Sequence, residues 1–378
     1  MESAILKESP PRKKPNSLGE INPTKINLCT LPDDILIEIF SYLDLKSIYN
    51  CAMVCSTLNN ISKYSALYKT IHLKYFMKSH ILKSFLSKAT SVKRLRIEYN
   101  NYEYYKDQNT KQYNEFNKYV IMFLEKSRNQ LKVLEVKNCI NNKDVMLSLS
   151  ECTNLEELVL YRCRLYRCRH NCGCRGSFEG MLSLGNLKSI QFQWCNFPKN
   201  TVVYLIQKNR NLKNIYLADN DHVDVNEICE TLSQHNLQVT NILLNGRDKI
   251  KLDSLCTLKR LSNLKSLEIK FICNMKPNQE NSLKQLAAGC SKLEKLFISG
   301  WRELNDDNFI PALPMLTHLT ELKLSRTNIT IKSCREVAFT LPRLKSMHVI
   351  GNQRVKIDEL DKLQSEFPEI DIALYKYK

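Results

Sequence analysis

The feature that most constrains this chain is a trio of apolar residues, spaced as LxxLxL, that returns with a period of about 25 residues. Trios start at Tyr68, Val92, Leu131, Leu155, Leu187, Leu212, Val239, Leu264, Leu293, Leu319, Leu344 and Phe367. With 43% hydrophobic residues, chance alone supplies about 30 such trios, so the trio by itself carries no weight. The phase does. Starts at 131 and 155, 187 and 212, 212 and 239, 239 and 264, 293 and 319, and 319 and 344 lie 24, 25, 27, 25, 26 and 25 residues apart. A fixed period of this length marks a strand-and-helix unit that cannot bury its own apolar face and stacks on copies of itself.

The next position of the unit agrees. Eight residues after a trio start stand Asn100, Cys139, Cys163, Cys195, Asn220 and Asn352, side chains able to bond the turn that leaves a strand; Arg247, Ile272, Trp301 and Thr327 break the rule. Helical stripes such as Val225, Ile228, Cys229 and Leu232 fall between the strands. This is the pattern of a leucine-rich repeat. Strands stack at about 4.8 Å while helices need about 10 Å. The expected α/β fold is therefore a curved solenoid, with parallel strands on the concave face and helices on the convex face.

Ahead of the repeats, residues 31–61 read LPDDILIEIFSYLDLKSIYNCAMVCSTLNNI. Ile35, Leu36, Ile39, Phe40 and Leu43 form an apolar stripe on one helix. A second run, from Ile48 to Leu58, follows a polar break with Ser47 as the expected N-cap. Two such short helices cannot hide all their apolar surface against each other, so part of it should face a partner. The order Leu-Pro, acidic pair, Ile-Leu, Ile-Phe, Tyr-Leu, Asp-Leu and Val-Cys resembles the F-box, the module that docks substrate receptors onto the Skp-type adaptor of cullin-RING ubiquitin ligases.

Carried over by position, that resemblance implies adaptor contacts from Leu31, Pro32, Ile35, Leu36, Ile39, Phe40, Leu43, Leu45, Val54, Cys55 and Leu58. Leu58 stands where the family commonly has Trp, and Asp34 where it commonly has Glu; the first change removes a large aromatic anchor. The passage AAGCSKLEKLFISGW from Ala287 resembles the cysteine-containing repeats of F-box proteins with leucine-rich repeats. The expected organisation is a basic disordered tail over 1–25, an F-box over 26–67, and a repeat array over 68–378 with insertions near 98–130 and 161–186.

On the strands, the residue between the last two trio members points outward. Tyr216, Leu243 and Phe297 at that position, with Tyr161 and Trp301 near strand ends, are the candidate target-binding residues. The second insertion carries Cys168, His170, Cys172 and Cys174 among several arginines; these are weak metal candidates, because gaps of three and one between the last three cysteines do not fit the usual pairs of zinc ligands. The 98–130 insertion is rich in Tyr and Asn, which suits adaptable recognition, but the favoured reading is a polar loop followed by the next helix, Phe116 to Leu124.

A net charge of +17 and lysines such as Lys132, Lys188, Lys213, Lys265 and Lys345 at one repeat position keep a basic band for acidic proteins or nucleic acid in view. No aromatic interleaving of a known nucleic-acid motif accompanies them. The nine glycines build no phosphate-cradling loop, and the histidines sit in no HExxH or triad-like setting. Catalysis by the chain and a cofactor are therefore not expected. Fifteen cysteines without a secretory leader imply a reducing compartment, cytoplasm or nucleus, and no apolar run is long enough for a membrane span. The functional expectation is the substrate-recognition subunit of an SCF-type ubiquitin ligase, its F-box on the adaptor and its repeats on a target protein. The alternative is a non-catalytic scaffold using a basic repeat surface.

Overall fold

Pro32 and the two acids after it open the first helix, as a fixed φ and carboxylates at a helix start favour; α1 spans Asp33–Ser41. It follows a 3-10 turn, Leu28–Thr30. The next helix, α2 (Leu45–Ala52), is capped by Asp44, whose carboxylate accepts the Ser47 N–H at 2.7 Å. The cap thus falls on Asp44 and not on Ser47, because Asp44 is the last extended residue and Ser47 already lies in the first turn. That bond holds the Asp44 carboxyl below its usual range. A short α3, Ser56–Ile61, packs on both α1 and α2. The Tyr64 hydroxyl donates to Asp33 Oδ2 at 3.1 Å.

The computed structural model describes residues 28–100, 111–139, 143–164, 181–198, 200–272 and 282–375. Its chain divides after Tyr64: residues 1–64 form one compact unit and residues 65–378 the other.

In the second unit the trios become strands. In chain order they are β1 (Thr70–Lys74), β2 (Arg94–Glu98), β3 (Val133–Lys137), β4 (Glu157–Tyr161), β5 (Ser189–Gln193), β6 (Asn214–Ala218), β7 (Asn241–Ile250), β8 (Ser266–Ile272), β9 (Lys295–Ser299), β10 (Glu321–Ser325), β11 (Ser346–Ile350) and β12 (Asp371–Tyr375). They form one parallel sheet of twelve strands in sequential order. Between them run α4 (Ser79–Lys88), α5 (Lys111–Ser127), α6 (Lys143–Ser150), α7 (Thr201–Lys208), α8 (Val225–His235), α9 (Leu252–Thr257), α10 (Ser282–Gly289), α11 (Asp306–Phe309), α12 (Ile331–Thr340) and, before β12, α13 (Ile357–Glu366). Neighbouring helices such as α7 and α8, or α8 and α9, pack against one another.

Side chains alternate across each strand, and the buried set is the expected one: every member of the first eleven trios is interior, for instance Leu158 and Leu160 at 0% exposure. The twelfth differs. Register sets Ile372 opposite Met347 and Leu374 opposite Val349, so the repeat frame there is shifted by two residues from the trio at Phe367, which is only half-buried. A further irregularity lies between β7 and β8, whose register slips between Asn245 and Ile250.

Side chains at the Asn/Cys position close turns onto the preceding repeat. Asn220 donates to Phe192 O at 2.8 Å, Asn352 to Leu324 O at 2.8 Å, Cys163 to Val136 O at 3.3 Å and Cys195 to Leu160 O at 3.4 Å. Each acceptor is the third trio residue of the preceding repeat, so one side chain locks two repeats together. Asn352 also accepts from the N–H and hydroxyl of Thr327 at 2.6 and 2.7 Å, which is how a Thr is accommodated there. A second polar series had no sequence signal. Buried Asn209 accepts from Leu187 N and donates to Leu184 O, and buried Asn236 donates to Asn209 O. These amides satisfy backbone groups where helices hand over to strands.

Gly289 shows why one repeat needs glycine. A Cβ there would stand 2.1 Å from the carbonyl oxygen of Lys259, so the end of α10 approaches the neighbouring backbone more closely than any side chain permits.

Candidate functional site

The N-terminal unit carries two apolar faces on α1, not one stripe. Leu36 and Phe40, four residues apart, are buried, whereas Ile35, Ile39 and Tyr42, spaced four and three, are exposed at 44%, 38% and 82%. Val54 and Met53, just after α2, are exposed at 72% and 73%, and Leu43 lies at the surface as well. Pro32 is exposed, and Leu31, Leu45 and Cys55 are half-buried. Of the residues carried over as adaptor contacts, Leu36, Phe40 and Leu58 are therefore corrected to interior positions: the helical period groups apolar residues without saying which group the fold covers. Tyr42 and Met53 join the surface. Tyr42 was legible at the i+3 position from Ile39, but Met53 had no signal.

On the strands, register brings Tyr216 beside Leu243, both half-buried, while Glu268 separates Leu243 from Phe297. The Lys323 ammonium lies 4.6 Å from the Phe297 ring centre. At the ends of β4 and β5, Tyr161 and Trp194 sit with ring centres 5.3 Å apart, and the Arg162 guanidinium lies 4.6 Å from the indole and 5.3 Å from the phenol ring. Arg162 and Trp194 hold left-handed backbone, φ 51° and 53°. The corresponding positions after β9 and β11 are Gly300 and Gly351. Large side chains kept at such a position cost about 1 kcal/mol each.

Trp301 is a correction. It is 1% exposed, a core residue rather than a target contact. Standing where the repeat usually has Asn or Cys, it turns inward and fills the turn.

The basic band is interrupted. Glu156 occupies the lysine column between Lys132 and Lys188 and bonds both, at 2.8 and 2.7 Å; those hydrogen bonds hold its carboxyl at about 2. Glu294 bonds Lys265 at 2.7 Å in the same manner. On the strands, Glu135 bonds Arg96 at 2.6 Å and Lys137 at 3.1 Å. Burial alone would raise its carboxyl, but these bonds outweigh it and hold the group below its usual range.

Cys168, His170, Cys172 and Cys174 lie outside the described residues. Cys163, which begins that segment, is fully buried in the repeat turn. Among the described residues no group of three or more His, Cys, Asp or Glu is placed to hold a metal ion, and no helix is long and apolar enough to cross a membrane.

Residues 28–74 match the family described as F-box-like. The fold is similar to a chain in the crystal structure of the Rad7 and Elc1 complex in yeast, with a TM-score of 0.51 and 14% identity over 90% of this chain and 92% of that one. A comparison with curated proteins finds none that matches.

Proposed function

The chain carries an F-box-like domain at its N-terminus followed by a leucine-rich-repeat-like array of twelve parallel strands with helices, and from that premise we propose that it is a substrate-recognition subunit of an SCF-type ubiquitin ligase. The observation that carries this reading is the apolar surface within the matched segment: Ile35, Ile39, Tyr42, Met53 and Val54 stay exposed after folding. An apolar patch on a small helical module marks a protein-binding site. Its partner is a small adaptor of the Skp or elongin C type. The yeast complex, in which Rad7 pairs with Elc1, is the reason to include the second type.

The array presents the target surface, with Tyr216 and Leu243 at its middle and Tyr161, Arg162 and Trp194 at one border. Aromatic rings with a stacked guanidinium are the side chains that most often dominate protein interfaces. The chemistry of ubiquitin transfer is left to other subunits, and this chain contributes proximity and orientation of the target lysine. A basic surface for nucleic acid is the weaker reading, because Glu156 and Glu294 neutralise the lysine column at two places.

The test is co-purification of the full chain with a Skp-type adaptor, an elongin C-type adaptor and their cullins. It is repeated with Leu31 and Pro32 changed to Ala and with Ile39 and Val54 changed to Ser. Capture of one adaptor that both double variants lose is the expected result. Capture by neither adaptor, or capture that survives both changes, overturns the reading.

A further inference from the structure

Two thiols of the N-terminal unit are placed as a reactive pair. Cys29 lies in the 3-10 turn Leu28–Thr30, which has no buried residue, and Cys55 directly precedes α3. Their sulfurs are 3.6 Å apart in a hydrogen bond, and both residues are half-exposed. The array treats its cysteines differently. Cys139, Cys163, Cys195, Cys229, Cys290 and Cys334 are buried, and burial pushes Cys229, Cys290 and Cys334 up to about 12, where they are inert packing groups.

The pair is also electronically divided. The backbone N–H of Leu58 at the start of α3, and after it the contact with the Cys29 thiol, lower the pKa of Cys55. The same contact with Cys55 raises that of Cys29. Cys55 therefore gives up its proton more readily than Cys29, the division of labour between an attacking thiol and a resolving one.

We propose that Cys29 and Cys55 are a redox-active dithiol that a peroxide converts into a reversible intramolecular disulfide within the docking module. The Cys55 thiolate attacks one peroxide oxygen, forming an S–O bond as the O–O bond breaks and releasing water once a proton is taken up. The Cys29 thiol then loses its proton and attacks the Cys55 sulfur; the S–S bond forms, the S–O bond breaks, and a second water leaves. Both sulfurs are oxidised and the peroxide is reduced. Bonding requires the sulfurs to close from 3.6 Å to about 2.0 Å, a movement the three-residue turn makes without disturbing any buried side chain of its own.

The disulfide draws the turn bearing exposed Leu28 onto the segment bearing exposed Val54, so oxidation alters the apolar surface assigned to the adaptor. That consequence rests on the docking reading; the thiol chemistry does not.

The experiment treats the purified full chain with hydrogen peroxide in slight excess, caps remaining thiols with N-ethylmaleimide, and maps cysteines by peptide mass spectrometry. The expected product is a peptide linked through Cys29 and Cys55, short of two hydrogens, reversed by dithiothreitol, and formed before half-exposed Cys51 or Cys256 reacts. Cys29→Ser should leave Cys55 as a sulfenic acid that dimedone labels, and Cys55→Ser should abolish labelling at either position. Both variants replace a half-exposed thiol by a hydroxyl of similar size, and circular dichroism checks that they fold. Recovery of both residues as capped thiols while Cys51 or Cys256 oxidises overturns the proposal. Adaptor capture is then compared for oxidised and reduced chain. A loss restored by dithiothreitol and absent in Cys29→Ser supports the coupling, and equal capture overturns it. Failure of the reduced chain to bind any adaptor counts against the docking reading and leaves the mass-spectrometric result standing.

Discussion

In the repeat array, both inner trio residues of the first eleven strands are buried, whereas in the N-terminal unit Ile35, Ile39, Tyr42, Met53 and Val54 remain exposed. The side chains are of the same kind, so hydrophobicity does not distinguish the two regions. Geometry does. A strand inside the array has a strand neighbour on each side and a helix layer behind it, and every repeat completes the burial of the one before. Three short helices have too little surface to cover one another. Apolar residues that no neighbour inside the chain covers are the ones available to another polypeptide.

Substitutions can test that contrast, beginning where the largest effects are expected. Leu158→Ala, at a site with 0% exposure, should lower stability by about 3–5 kcal/mol, read as a shifted urea midpoint with adaptor capture retained. Phe40→Ala, 3% exposed, belongs with it at a similar cost. Should Phe40→Ala leave stability unchanged and abolish capture, the division of α1 into covered and bare faces is wrong.

Backbone and turn substitutions come next. Gly289→Ala should cost about 1–3 kcal/mol, because Lys259 backbone must retreat from the new methyl. Asn352→Ala should cost about 1–3 kcal/mol, since it leaves the Thr327 N–H and the Leu324 carbonyl without their partner. Thermal unfolding followed by circular dichroism measures both. A third class should leave stability alone: Ile39→Ser with Val54→Ser is expected to change unfolding by less than about 0.5 kcal/mol. Adaptor affinity should fall at least about tenfold, equivalent to about 1.4 kcal/mol, in a calorimetric titration.

The smallest effect concerns pH. Glu156, held at about 2 against an ordinary 4.5 by Lys132 and Lys188, contributes stability that is fully present above the ordinary value and is lost as pH falls toward about 2. Glu156→Gln should flatten that acid limb slightly and leave neutral-pH unfolding almost unchanged, as suits a surface ion pair. An unchanged acid limb would show that the lysine column is not neutralised there and would revive the basic surface.

The repeat frame was legible because a trio tied to one period fixes which residues share a buried face; Leu131 to Val136 and Leu319 to Leu324 lie where the spacing puts them. The turn cysteines and asparagines were legible for the same reason, being locked to that frame. What the sequence could not decide is which apolar group finds a cover. On α1, Leu36 and Phe40 carry the same periodic signal as Ile35 and Ile39, yet only the first pair is enclosed. Trp301 looked like a surface aromatic and became core, and Asn209 and Asn236 gave no signal although they stitch repeats together. Periodicity is a property of neighbours along the chain, while burial and the pairing of Cys29 with Cys55 depend on segments that meet only in three dimensions.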